Sequence, residues 1–440
     1  PAAYAGTSHT GKTGVESSFE SDLHGDAGYR HLIANARGRQ VPSDTSELLD
    51  SLPFDETPMP GSNVYLSIDL DLQRIATQAL EGRRGALVAI DPQNGEILAL
   101  VSAPAFDPNL FAVGMSTAQY RELSENPDRP LFNRAVRGAY PPGSTIKPML
   151  ALAALEKNAT NLTRKTVCHG YFQLPNDDHR YRDWKPEGHG PVDLHDAIAQ
   201  SCDVYFYEIS GDIGIDTMHD YLTRFGLGLE TGVDIGGESS GLVPSREWKR
   251  NNFSDRDNQR WYHGETVIVS IGQGYMLATP LQLASAAAAL ATRGKRYRPH
   301  MIAAVEDALT GERRMVQPER LPDVEISNDF YWENVLGAMH DVMQGPRGTA
   351  RAVGFGAPYE MAGKSGTAQV VSIAQDEKYD DAELEERQRD HALFIAFAPL
   401  DEPRIAVALI VENGESGSGV AAPIAKAVMD AYLGYGDDAP

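Results

Sequence analysis

Ser144 and Lys147 stand three residues apart in YPPGSTIKPMLALAAL, where two prolines and a glycine give way to an Ala- and Leu-rich run. The prolines and glycine suit an irregular approach, and the run after them reads as a helix entering a core. The serine and lysine then share one face of it. A serine hydroxyl is a poor nucleophile at neutral pH, so it needs a base. A lysine can serve when burial or a neighbouring cation lowers its pKa. GKSGTAQVV supplies that second cation, with Lys364 heading a short β-like run followed by Ser365, Gly366 and Thr367. Gly366 lacks a side chain, which would let a substrate lie against the strand. A third piece, SCDVYFY, sets Ser201 and Asp203 two apart at the start of an aromatic-rich helix. Each piece alone is a weak signal, but the order and spacing of all three together are a strong one.

These groups lie far apart in sequence, so a fold must gather them. VYLSID is strand-like, LDLQRIATQALEGRR from Leu70 has helical spacing, and GALVAIDPQNGEILALVSAP reads as a β-hairpin turning at Asp91 to Gly95. A second hairpin closes the chain, with HALFIAFAP and RIAVALIVENG on either side of LDEP. Helices fill the middle, among them TPLQLASAAAALATRG, which opens on Thr-Pro and stops at Gly294. The expected fold class is therefore α+β, an antiparallel sheet covered by helices. The charged run AQDEKYDDAELEERQRD before His391 reads as a solvated loop or short helix.

Composition narrows the function. With 440 residues, 42% apolar and 23% charged, the chain is long enough for a large core and reads as soluble and globular. A formal charge of -23 works against binding a phosphate backbone, so nucleic acid is set aside. No apolar run approaches the roughly 20 residues of a membrane span, and the amino end does not read as a signal peptide.

In chain order, Ser-x-x-Lys, Ser-x-Asp and Lys-Ser-Gly-Thr resemble the penicillin-binding protein and serine β-lactamase superfamily. RGAYPPGSTIKP, YRDWKPEGHG, GLVPSREWK, SIGQGYMLATPLQLA, RGTAR and AGKSGTAQVV resemble the penicillin-binding protein 2 family, the elongation-specific class B transpeptidases of Gram-negative bacteria. GKTGVESSFESDLHGDAGYR is similar to the pedestal segment preceding the catalytic domain in that family. The resemblance implies two parts. Residues 1–61 would be a remnant of the pedestal, or dimerisation-type, domain with an acidic linker, and 62–440 the transpeptidase domain. The membrane anchor and most of the pedestal and head are expected to lie outside this chain.

The resemblance implies a D,D-transpeptidase that cross-links peptidoglycan stem peptides during lateral wall elongation and is acylated by β-lactams. Ser144 would be the nucleophile, Lys147 its base, and Ser201 a proton relay to the leaving amine. Lys364 would depress Lys147 and attract the donor carboxylate, which Thr367 and Ser365 would bind. The backbone N–H groups of Ser144 and Thr367 would receive the oxyanion. Asp203 stands where Asn is commonest in the wider superfamily, and its charge could pair with a lysine of the site. Catalysis would need no cofactor. The implied partners are stem peptides, β-lactams, and the glycan polymerase and scaffold proteins of the rod complex, at the periplasmic face of the inner membrane. A serine β-lactamase or a β-lactam-sensing domain is the alternative. No E-x-x-L-N motif for a deacylating glutamate falls between Ser201 and Lys364.

The only two cysteines, Cys168 and Cys202, fall within 35 residues of each other. They could be free buried thiols, a disulfide, or half of a tetrahedral metal site. Two thiolates, an imidazole and a carboxylate suit structural Zn²⁺, with Cys168, Asp183, His189 and Cys202 as the chosen ligands. His189 is preferred over His169, His179 and His195 because glycines flank it. Trp184 reads as packing ahead of a substrate platform. Arg347 and Thr349 read as loop anchors. Gln273 and Gly274 form either a turn or a substrate-facing loop.

Overall fold

The computed structural model describes residues 10–30, 32, 34–39, 56–371 and 384–436. The acidic stretch 41–55 and residues 372–383 of the charged region lie outside the described residues. The chain divides into two compact units. One comprises residues 1–66, 234–236 and 302–317, the other 67–233, 237–301 and 318–440.

In the first unit the short helices Gly14–Ser18 and Glu20–Leu23 lead into bridges that join Asp26 to Met59 and Tyr29 to Glu56. Strand Asn63–Leu66 pairs antiparallel with Ile302–Glu306, which also pairs with Arg313–Met315. The unit thus recruits strands from late in the sequence.

The larger unit is built on a five-stranded antiparallel sheet. The hairpin Gly85–Ile90 and Ile97–Ala103 pairs with the hairpin His391–Ala398 and Ile405–Val411, and Ala362–Ala368 forms the edge beside His391–Ala398. Both hairpins expected from sequence are present. Asp91 turns the first by accepting from the Gly95 amide at 2.9 Å, with Gly95 at φ 88. Every residue of Gly85–Ile90 and Ile405–Val411 is buried, which is why these strands read as continuous apolar runs without alternation. Helices Leu70–Ala79 and Ala422–Leu433 pack together against the sheet, and Pro280–Ala291 packs against its middle strands. The last is fixed at its start by a capping box in which Thr279 and Gln282 bond reciprocally, with Pro280 in the first turn. In the charged region, Glu386–Gln388 is a 3-10 turn in which Glu386 pairs with Arg84, and the following Arg389 pairs with Glu415.

Candidate active site and a buried cysteine cluster

Pro141 and Pro142 deliver the chain into a 3-10 turn, Gly143–Ile146, that continues as the helix Lys147–Glu156. In a 3-10 turn residues i and i+3 eclipse, so Ser144 and Lys147 are aligned more closely than on an α-helix. The helix is buried all round, and it carries Lys147 into the interior at 0% exposure. Gly143 makes this possible. Its φ is 54, its N–H donates to the Gly272 carbonyl at 3.0 Å, and a Cβ there would lie 2.5 Å from the Thr367 carbonyl oxygen.

Two buried lysine amines converge on Ser201. Lys364 Nζ donates to Ser201 Oγ at 2.8 Å and to the Ser365 carbonyl at 2.9 Å. Lys147 Nζ donates to the Ser201 carbonyl at 2.9 Å and lies 3.4 Å from Ser201 Oγ. Ser201 itself sits at φ 57, a left-handed conformation uncommon outside glycine, in the link between helices Leu194–Ala199 and Asp203–Ile213. The strained residue presents both oxygens to the lysines. Among the described residues none hydrogen-bonds to Ser144 Oγ, so Lys147 is engaged with the Ser201–Asp203 side of the cleft.

Asp203 is the counter-ion of this pair, its Oδ1 lying 2.7 Å from Lys147 Nζ. Burial pushes its carboxyl above the usual range, with Lys147 opposing and Asp183 adding to the shift. Burial, then the charge of Lys147, holds Lys364 well below an ordinary lysine. The carboxylate sits on Lys147, which leaves Lys364 as the lysine that burial and a like charge disfavour.

Lys364, Ser365, Gly366 and Thr367 all lie on the edge strand Ala362–Ala368. Ser365 Oγ is 3.1 Å from Thr349 Oγ1, and the Thr349 amide donates to the Ala199 carbonyl at 3.2 Å. Arg347 pairs with Asp196. Both residues anchor their loop, and Thr349 also touches the site. The space at Gly366 is used internally. A Cβ there would lie 2.8 Å from Thr145 Cγ2 and 2.9 Å from the Pro142 carbonyl, so the missing side chain lets the strand cross the Gly143–Ile146 turn.

Trp184 departs from the packing expectation, being 57% exposed. Its amide donates to Asp203 Oδ2 at 3.1 Å and its indole N–H to the Gln200 carbonyl at 3.1 Å. These two bonds hold the ring at the rim of the site instead of in the core.

Behind Asp203 lies the cysteine cluster. Ligand atoms of Cys168, Asp183, His189 and Cys202 all fall within 4.8 Å of one another. The strand Thr166–Cys168 pairs with Gly190–Val192, which sets His189 beside Cys168. Gly188 allows the approach, since a Cβ there would lie 2.2 Å from the Cys168 carbonyl oxygen. Both thiols are free and buried, which removes the disulfide reading. Burial pushes both thiols up. Asp183 Oδ2 also accepts from the amides of Asp203 at 2.8 Å and Val204 at 3.2 Å, capping the Ser201-side helix at its positive end. Burial works against that charge, but His189, the Lys185 amide and Lys147 outweigh it and hold the carboxyl well below the usual range. His195 pairs instead with Asp341 at 2.8 Å.

Sequence reasoning missed how closely the Gly143–Ile146 turn and the edge strand are tied to the loop at Gly272 and Gln273. The Gln273 side-chain amide donates to the Thr367 carbonyl at 2.8 Å. The GQG motif was the available signal.

Residues 85–430 match the Penicillin binding protein transpeptidase domain family, and residues 1–66 the Penicillin-binding Protein dimerisation domain. The peptidoglycan D,D-transpeptidase MrdA of Acinetobacter baumannii is 48% identical over 434 residues, covering 98% of this chain and 61% of that protein. MrdA of Escherichia coli is 42% identical over 422 residues, covering 95% and 64%. The chain thus spans somewhat under two thirds of the length of these relatives. Among solved structures, Pseudomonas aeruginosa PBP2 in complex with WCK 5153 superposes with a TM-score of 0.82 at 46% identity, covering 99% of this chain and 86% of that one. The Helicobacter pylori PBP2 complex with MreC gives 0.78 at 31% identity, covering 97% and 73%. Fold and similarity agree on one class, the penicillin-binding transpeptidase domains. The chain belongs to the penicillin-binding protein transpeptidase family, and within it to the penicillin-binding protein 2 group.

Proposed function

We propose that the chain carries a peptidoglycan D,D-transpeptidase acting through an acyl-enzyme on Ser144. The observation that carries this is the convergence of two buried lysines on Ser201, one of them paired to Asp203 and standing three residues after Ser144. Ser144 Oγ bonds to the penultimate D-alanine carbonyl carbon as its proton passes to neutral Lys147. Asp203 lies against Lys147 Nζ as its counter-ion and holds the amine in place. Collapse of the tetrahedral intermediate breaks the C–N bond, and Ser201 relays a proton to the departing D-alanine nitrogen. An acceptor amine then attacks the ester by the reverse route. The edge strand supplies Thr367 and Ser365 to the donor carboxylate, with Lys364 as its electrostatic attractor.

The reading extends to context. Residues 1–61 would be what remains of a pedestal, and the protein would work at the periplasmic face of the inner membrane. Among the described residues no helix is long and apolar enough to cross a membrane. The partners would be a scaffold protein and a glycan polymerase, in keeping with the Helicobacter pylori PBP2 solved in complex with MreC and with a related peptidoglycan synthase complex. The cysteine cluster suits structural zinc. Its four donors are of tetrahedral type, mutually close and buried, and the Asp183 carboxylate is oriented by amides of the helix that bears Asp203. Bound zinc would supply a cross-link between the 168–189 segment and that helix.

Exchange on a D-Ala-D-Ala-ended stem peptide tests the activity. A labelled D-amino acid should replace the terminal D-alanine in the presence of the wild-type chain but not with Ser144→Ala. Hydrolysis without exchange would contradict acyl transfer to an amine.

A further inference from the structure

The loop Gly272–Gln273 touches both of the segments that would form the oxyanion hole. Gly272 accepts from the Gly143 amide at 3.0 Å, one residue before Ser144, and its own φ of 75 places a would-be Cβ 2.2 Å from the Gly143 carbonyl oxygen. The next residue, Gln273, donates from its side chain to the Thr367 carbonyl at 2.8 Å.

Thr367 lies on the outer strand of the sheet, opposite Ala392. In an extended strand the N–H and C=O of one residue point to the same side. Gln273 reaches the Thr367 carbonyl from the open edge, and Lys364 Nζ reaches the Ser365 carbonyl two residues earlier with the same period. The Thr367 N–H therefore faces the open edge too. Such an edge is also where a strand is least constrained, because it lacks a neighbour on one side.

We infer that Gln273 is a positioning residue for acyl transfer: it clamps Thr367 so that this strand's N–H and the Ser144 N–H hold a fixed separation. Two adjacent residues of one loop grip the two walls, so the spacing between the donors is set within a single short backbone segment. Oxyanion donors act by being in place before charge develops, and a loosened donor loses effect without any loss of substrate contact. Gln273 needs no substrate contact of its own for this.

The inference rests on the acyl-transfer reading above. The test is stopped-flow acylation of the full chain by a chromogenic cephalosporin, separating initial non-covalent binding from the acylation rate. Gln273→Ala and the near-isosteric Gln273→Glu, which cannot donate when ionised, are compared with wild type. Both variants should lower the acylation rate constant about tenfold, short of the roughly hundredfold expected for deleting a donor outright. Initial binding and melting temperature should stay near wild type. Affinity for a boronic acid, whose tetrahedral adduct places an oxygen in the hole, should fall by a similar factor. An acylation rate constant within twofold of wild type would overturn the proposal. So would a loss confined to initial binding or one that tracks a lowered melting temperature. Wild-type chain that is never labelled at Ser144 would overturn the acyl-transfer reading itself, and with it the role given to Gln273.

Discussion

Lys147 Nζ lies 2.7 Å from Asp203 Oδ1, and the other oxygen of that carboxylate accepts the Trp184 amide at 3.1 Å. The buried ammonium is thus seated against a fixed counter-charge before any substrate arrives. A helix capped by Asp183 holds that counter-charge in turn. Position and charge at Lys147 depend on groups well outside the Ser-x-x-Lys motif.

Asp203→Asn keeps a hydrogen-bond acceptor for Lys147 but removes the charge. A carboxylate favours the protonated state of a neighbouring amine, so without it the lysine pair gives up a proton more readily. The acid limb of the acylation pH profile should move to lower pH. Melting temperature should fall, because one partner of a buried pair is left uncompensated. A limb that stays put or moves upward would contradict the assignment of Asp203 as counter-ion.

Lys364→Met should abolish efficient acylation and raise stability at neutral pH. Burial and Lys147 hold the folded-state pKa of Lys364 well below its ordinary 10.5. Between that depressed value and 10.5 the unfolded chain binds more protons than the folded one, so stability rises with pH across the window and the cost is largest below it. The gain from the substitution should therefore be greatest at and below the depressed value and shrink toward pH 10. Thermal melts of both proteins from pH 6 to 10 check this. A destabilised variant at pH 7 would contradict it.

Much of this site was legible in the sequence, and for a physical reason. Ser144 with Lys147 and Ser201 with Asp203 are local pairs whose spacing fixes their alignment once the helix type is known. The hairpins announced themselves as apolar runs around Asp91–Gly95 and LDEP. The charge balance between the two lysines was not legible, because it depends on which of them meets Asp203 across the fold. Trp184 was misread because its exposure follows from two long-range hydrogen bonds that leave no local pattern. Gly366 was read as space for substrate, while the space belongs to Thr145 and Pro142 on a turn more than two hundred residues earlier.

Gly366→Ala should separate strand from turn. The new methyl would fall 2.8 Å from Thr145 Cγ2 and 2.9 Å from a backbone carbonyl that cannot easily yield. Overpacking of this kind costs about 1–3 kcal/mol, and a displaced nucleophile turn should slow acylation on the order of a hundredfold. Calorimetry and acylation kinetics on the same protein check both. A variant with wild-type kinetics would show that the strand can shift without disturbing Ser144.

Protein purified without chelator should carry about one zinc per chain, and Cys202→Ser should lose it. Melting temperature and acylation rate should fall together, since Asp183 orients the helix that bears Asp203. A metal-free, fully reduced chain with unaltered melting and acylation would remove zinc from the account.

The central claim is that Ser144 is the nucleophile of a transpeptidase that holds its acyl group, and intact-mass spectrometry after incubation with a penicillin tests it most directly. Wild type should gain one penicilloyl mass per chain and keep it for many minutes after excess drug is removed. Ser144→Ala should gain none while melting near wild type, because a serine at a helix start contributes at most about 1 kcal/mol as a cap. Full labelling of Ser144→Ala, or a wild-type adduct lost within seconds, would contradict the account.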